Sequence, residues 1–87
     1  MKIKEGFILR EVAGSYLVVA VGARVKDFNG MVNLNETGAF LWKLLEKGAE
    51  KEEMTEALLK EYDVQKEVAA ADVNAFTTKL AEAGLLA

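Results

Sequence analysis

Two runs of β-branched, aromatic and aliphatic residues open the pattern, Phe7 to Val12 and Tyr16 to Val21. Ala13-Gly14-Ser15 separates them with turn chemistry, which predicts an antiparallel hairpin. Asn29-Gly30 tolerates the positive φ of a type I′ turn and predicts a second reversal, joining Arg24–Phe28 to Met31–Leu34. A third strand therefore ends at Leu34. From Asn35 the apolar period becomes helical. Asn35 suits the N-cap, Glu36 the positive end of the helix dipole, and Leu41, Leu44 and Leu45 share a face until Gly48. Met54, Ala57, Leu58 and Tyr62 repeat at helical spacing behind Glu50, Glu52 and Glu53. Ala69, Val73, Phe76 and Leu80 mark a third helix that runs to a capping Gly84, after which Leu85 and Leu86 return to the core.

Strands followed by helices predict a single α+β domain over residues 1–87, a three-stranded antiparallel sheet with three helices on one face. At 87 residues every apolar cluster must share one core. The chain has no Cys and no His, which removes disulfides, thiolate metal sites, thiol nucleophiles and the usual general base near neutral pH. No catalytic residues, metal ligands or cofactors are expected. Neither GxGxxG nor GxxxxGK occurs between a strand and a helix, so Gly22 and Gly30 read as turn residues. Glu50, Glu52 and Glu53 splay around a helix start instead of converging on a cation. The aromatic cluster Phe40, Leu41 and Trp42 reads as core.

Charge and hydropathy narrow the partners. Residues 1–34 carry five bases and three acids, residues 35–87 six bases and eleven acids, so the helical part is acidic and nucleic acid is disfavoured. The longest apolar run, Tyr16 to Val21, is too short to span a bilayer, and no signal segment precedes it; a cytoplasmic location is expected.

The strand Met31, Val32, Asn33, Leu34 is last in its sheet and carries no Pro and no charge, the usual protections of an open edge. A covering element or a second copy would satisfy it; so would a partner peptide added as a strand. Four paired residues supply hydrogen bonds of about 1 kcal/mol net each, whereas micromolar binding needs about 8 kcal/mol, so an apolar groove must lie alongside. The third helix is the candidate wall, through Val73, Phe76, Thr77 and Leu80, with plain core packing the competing reading for Val73, Phe76 and Leu80. Strand two is apolar on both faces, which keeps self-association open, as monomer or homodimer.

The ordered set Leu34-Asn35-Glu36-Thr37-Gly38 with Phe40-Leu41-Trp42, Glu61-Tyr62-Asp63-Val64, Asp72-Val73 and Gly84-Leu85-Leu86 resembles the PqqD family across essentially the whole chain. The resemblance implies a winged-helix-like fold and a non-catalytic role. Members of that family bind the leader segment of a ribosomally made precursor peptide and present it to a modifying enzyme, such as a radical SAM enzyme, a cyclase or a protease. It implies that the leader adds as a strand between the third strand and the third helix. By that resemblance the edge is Met31, Val32, Asn33 and Leu34 and the wall is Asp72, Val73, Phe76, Thr77 and Leu80, while Leu34 to Gly38 shapes the strand-to-helix junction.

Overall fold

In the computed structural model residues 1–26 and 31–87 are described. Strands β1 (Phe7–Val12), β2 (Ser15–Ala20) and β3 (Val32–Leu34) precede helices α1 (Glu36–Lys47), α2 (Lys51–Glu61) and α3 (Lys66–Glu82). The sheet is antiparallel with order β1-β2-β3, so β3 is an edge, as expected. Two expectations are corrected between β2 and β3. Gly22–Lys26 forms a 3-10 helix where the beginning of the Arg24–Phe28 strand was expected, and β2 stops at Ala20. The Asn29-Gly30 turn lies outside the described residues. Apolar content alone gave no means of telling a single helical turn from a strand start at this length.

The first hairpin closes with Val12 opposite Ser15, leaving Ala13 and Gly14 as a two-residue turn. Both have positive φ, 52° and 81°. That is the type I′ conformation, whose twist matches the flanking strands. Ala13 bears the cost that an L side chain incurs there.

The helix ends follow the caps read from sequence. The backbone N–H of Glu50 donates to Glu53 Oε1 at 3.0 Å, closing the first turn of α2, and the Met1 ammonium pairs with the Glu50 carboxylate. At the far end of α3, Leu85 N–H donates to Leu80 O at 2.9 Å and Gly84 N–H to Ala81 O at 3.1 Å, with Gly84 at φ 76°. This is a Schellman cap, and it turns Leu85 into the core. Lys4 N–H then donates to Leu85 O and Ala87 N–H to Lys2 O, so the first residues lie along the last.

One core fills the space between sheet and helices. Phe7 and Val18 from the sheet meet Leu41, Trp42 and Leu45 of α1, Met54 and Leu58 of α2, and Ala69, Val73 and Leu80 of α3. The assignment of Trp42 to structure holds, since it is fully buried. No acceptor among the described residues meets its indole N–H. Beside this core Phe40 and Tyr62 make an edge-to-face contact, ring centroids 5.7 Å apart. Burial first, then the carboxylates of Glu36 and Glu61 and the nearby Tyr16, holds the Tyr62 phenol above its ordinary value.

Two outcomes test these placements. Ala13→Asn, which tolerates positive φ, should stabilise the chain by up to about 1 kcal/mol in urea unfolding. Tyr62 keeps its proton to higher pH folded than unfolded, so its contribution is present below the ordinary tyrosine range and is lost as pH rises through the raised value. Melting temperature should fall with pH above about 10, and less steeply in Tyr62→Phe.

Candidate peptide-binding cleft

The site begins with the turn from β3 into α1. Asn35 stands at the N-cap in extended conformation, and its Oδ1 accepts from Gly38 N–H at 2.7 Å. A Cβ on Gly38 would lie 3.2 Å from that same Oδ1 and 3.3 Å from Leu34 Cβ. Strand end and helix start approach so closely here that any side chain at this position would push Asn35 or Leu34 aside by a few tenths of an ångström. Leu34, above it, is buried in the core.

A cleft of about 250 Å³ opens beside this junction. One wall is Leu34, Asn35, Thr37, Gly38 and Leu41; the other is Asp72, Ala75, Phe76 and Lys79 of α3. The α3 residues fall at i, i+3, i+4 and i+7, a single stripe. Phe76 contributes its edge from a mostly buried ring, 7% exposed, and Asp72 and Lys79 are exposed. Near the mouth Lys79 Nζ donates to the Asn33 carbonyl at 2.8 Å, tying α3 to the edge strand. The volume accommodates one or two side chains and falls below the usual size of a small-molecule pocket.

Of the residues expected at the site, the cleft gathers Leu34, Asp72 and Phe76. Val32 and Asn33 lie on the adjoining edge, Val32 half-buried and Asn33 exposed, and Met31 precedes the strand with 64% exposure. Val73, Thr77 and Leu80 do not line it. They are buried at 1%, 3% and 0% exposure, and the Thr77 hydroxyl is satisfied within α3 by the carbonyls of Val73 and Asn74. Val73 and Leu80 pack in the core, and Thr77 is buried beside them. The cleft-lining stripe of α3 lies one step around the helix from these three residues. Sequence reasoning missed Ala75 and Lys79, whose spacing from Asp72 and Phe76 was visible, and Thr37, Gly38 and Leu41, which only the fold brings to α3. Asn35 and Gly38, expected to shape the junction alone, also line the cleft.

The family model described as coenzyme PQQ synthesis protein D (PqqD) matches residues 17–86. The chain belongs to the PqqD family. That match runs from within β2 through the Schellman cap and so contains both cleft walls. The search of curated proteins found no match. Among solved structures, TbiB1 in complex with the TbiA(beta) leader peptide superposes with TM-score 0.78 at 26% identity, over 99% of this chain and 94% of that one. Lasso peptide synthetase B1 complexed with the leader peptide superposes with TM-score 0.75 at 20% identity, over 97% of this chain and 93% of that one. The second likeness concerns the fold.

In this PqqD-family chain the junction bond is the most direct point at which to test the site's architecture. Asn35→Ala should cost about 1 kcal/mol, lowering the melting temperature by about 4–8 °C. Asn35→Asp, which keeps an acceptor at the N-cap, should recover most of it.

Proposed function

We propose that this chain is a non-catalytic domain that captures the leader segment of a ribosomally made precursor peptide as an added strand on β3. The observation that carries the proposal is the edge strand Val32–Leu34 lying beside a side-chain-sized cleft. Family membership and the likeness to TbiB1 solved with a leader peptide support it.

The energetics define what such a peptide must contain. The β2–β3 ladder has three pairs, Tyr16–Leu34, Leu17–Asn33 and Val18–Val32. Antiparallel pairs alternate between bonded and non-bonded, so a strand this short offers few outward groups. Each hydrogen bond adds about 1 kcal/mol net. Burying one or two apolar side chains adds about 1.5–3 kcal/mol each. The peptide therefore needs apolar residues for the cleft as well as an extended backbone. Met31, Val32, Asn33 and Leu34 serve as the edge, and Asp72 and Phe76 belong to the wall. Val73, Thr77 and Leu80 support that wall from within the core.

A modifying enzyme, a radical SAM enzyme, a cyclase or a protease, is the second partner in this reading and acts on the segment beyond the captured leader. A cytoplasmic setting agrees with a chain that has no Cys and with helices none of which, among the described residues, is long and apolar enough to cross a membrane. Among the described residues no cluster of acidic side chains is placed to hold a metal. The acidic helical half offers no counterpart for phosphates.

The test is a titration with synthetic fragments of the precursor encoded beside this chain's gene. Amide shifts should concentrate on residues 31–34 and the α3 stripe. Asn33→Pro removes an N–H from an exposed edge position where proline is tolerated. It should weaken binding at least about tenfold while leaving the melting temperature nearly unchanged. Unaltered binding by Asn33→Pro, or shifts centred on another surface, would refute strand addition at β3.

A further inference from the structure

What the cleft selects can be inferred from its charges, on the basis of the peptide-capture reading above. The ladder between β2 and β3 stops at Tyr16–Leu34 and Val18–Val32. Hydrogen-bonded pairs at both ends leave Leu17–Asn33 as the non-bonded pair between them. Asn33 then turns its N–H and C=O away from β2, which fits the Lys79 ammonium meeting that carbonyl at 2.8 Å. The outward acceptor of the edge is thus already occupied by a cation from the opposite wall. Asp72 lines the same cleft seven residues earlier on α3. Neither Asp72 nor Lys79 is ion-paired among the described residues.

We propose that Lys79 latches the β3 edge in the free protein and, with Asp72, sets the register of the bound peptide by selecting an acidic and a basic residue two or four positions apart, on the face turned to α3. A strand added at Asn33 must place its own N–H on the carbonyl that Lys79 holds. The ammonium is displaced but stays tethered beside the new strand. A peptide carboxylate there replaces a hydrogen bond to a neutral carbonyl with a charge-assisted one, which is about twice as strong. A neutral or basic residue leaves the displaced ammonium to solvent or repels it. The spacing follows from geometry: seven helical residues rise about 10.5 Å. Side chains on one face of a strand recur every two residues, about 6.8 Å apart, so same-face positions two or four residues apart bracket that rise. A basic side chain that distance along the peptide meets Asp72. Wrong registers place like charges together, so the frame acts against slippage as well as for affinity.

The experiment is a selection of displayed random peptides on the wild-type protein, on Lys79→Glu and on Asp72→Lys. Selected peptides are then resynthesised and their affinities measured by fluorescence anisotropy at low and high salt. The wild type should enrich an acidic and a basic residue two or four positions apart. Lys79→Glu should invert the sign at the acidic position alone, and Asp72→Lys at the basic position alone. A mismatched charge should weaken binding about fivefold, a matched swap should restore it, and added salt should erase the difference. Lys79→Met should bind acidic peptides more weakly than the wild type does and neutral ones at least as tightly. Both side chains are exposed, and thermal melts of each variant verify that the fold is retained. The same consensus from wild type and Lys79→Glu, or acidic peptides held equally by Lys79→Met, would overturn the charge frame while leaving peptide capture intact. Failure of the wild type to enrich any peptide that shifts the amides of residues 31–34 would instead overturn the capture reading, and the frame with it.

Discussion

The bond from Gly38 N–H to the Asn35 side chain fixes where the sheet ends and the helices begin. It satisfies an amide that the first turn of α1 cannot pair internally. It also holds Asn35 extended, so that β3 stops at Leu34 and the chain turns without a loop. Because Gly38 has no Cβ, Leu34 settles against the helix start and its side chain enters the core. The short edge strand, the floor of the cleft and the direction of α1 all derive from this one turn. Its five residues, Leu34 to Gly38, each have an assignable physical reason: core anchor, cap, dipole partner, cleft wall and close approach.

The opposite wall depends on how α3 divides its surface. Val73, Thr77 and Leu80 lie inward and fasten the helix to the core. Asp72, Ala75 and Lys79 lie on the neighbouring stripe, with Phe76 spanning the boundary. A buried face and a cleft-lining face on one 17-residue helix are thereby held rigidly relative to each other. The Schellman cap adds to this by seating Leu85 in the core and allowing the first and last residues to pair. The wall is thus supported along its length beside a cleft of small volume.

An edge this short is well protected from indiscriminate pairing. Three residues are paired to β2, and Lys79 occupies the Asn33 carbonyl from across the cleft. Charge near an edge is a familiar defence against aggregation. Here it comes from the facing helix instead of the strand, which explains how β3 can lack charged side chains of its own. The same arrangement requires that any added strand bring side-chain interactions to replace what it displaces.

Elements governed by local rules were legible along the chain. The hairpin at Ala13-Gly14, the caps at Asn35, Gly48 and Gly84, the three helical stripes and the order of strands before helices all follow from nearest neighbours and periodicity. The lack of Cys and His removes most site chemistry by composition alone. Weak local signals misled: Arg24–Lys26 belongs to the 3-10 turn Gly22–Lys26 although its composition fitted a strand start. The site was legible only as an edge and a helix. Periodicity picked out the most apolar stripe of α3, because apolar spacing marks what is buried, whereas the stripe that lines the cleft is mostly exposed. It took the packed fold to set Asp72, Ala75 and Lys79 opposite Thr37, Gly38 and Leu41, and to bring Lys79 to Asn33 forty-six positions away. The reason is that such contacts depend on how a helix is rotated against the sheet, and that rotation is set by the packing of the whole core rather than by any segment of the chain.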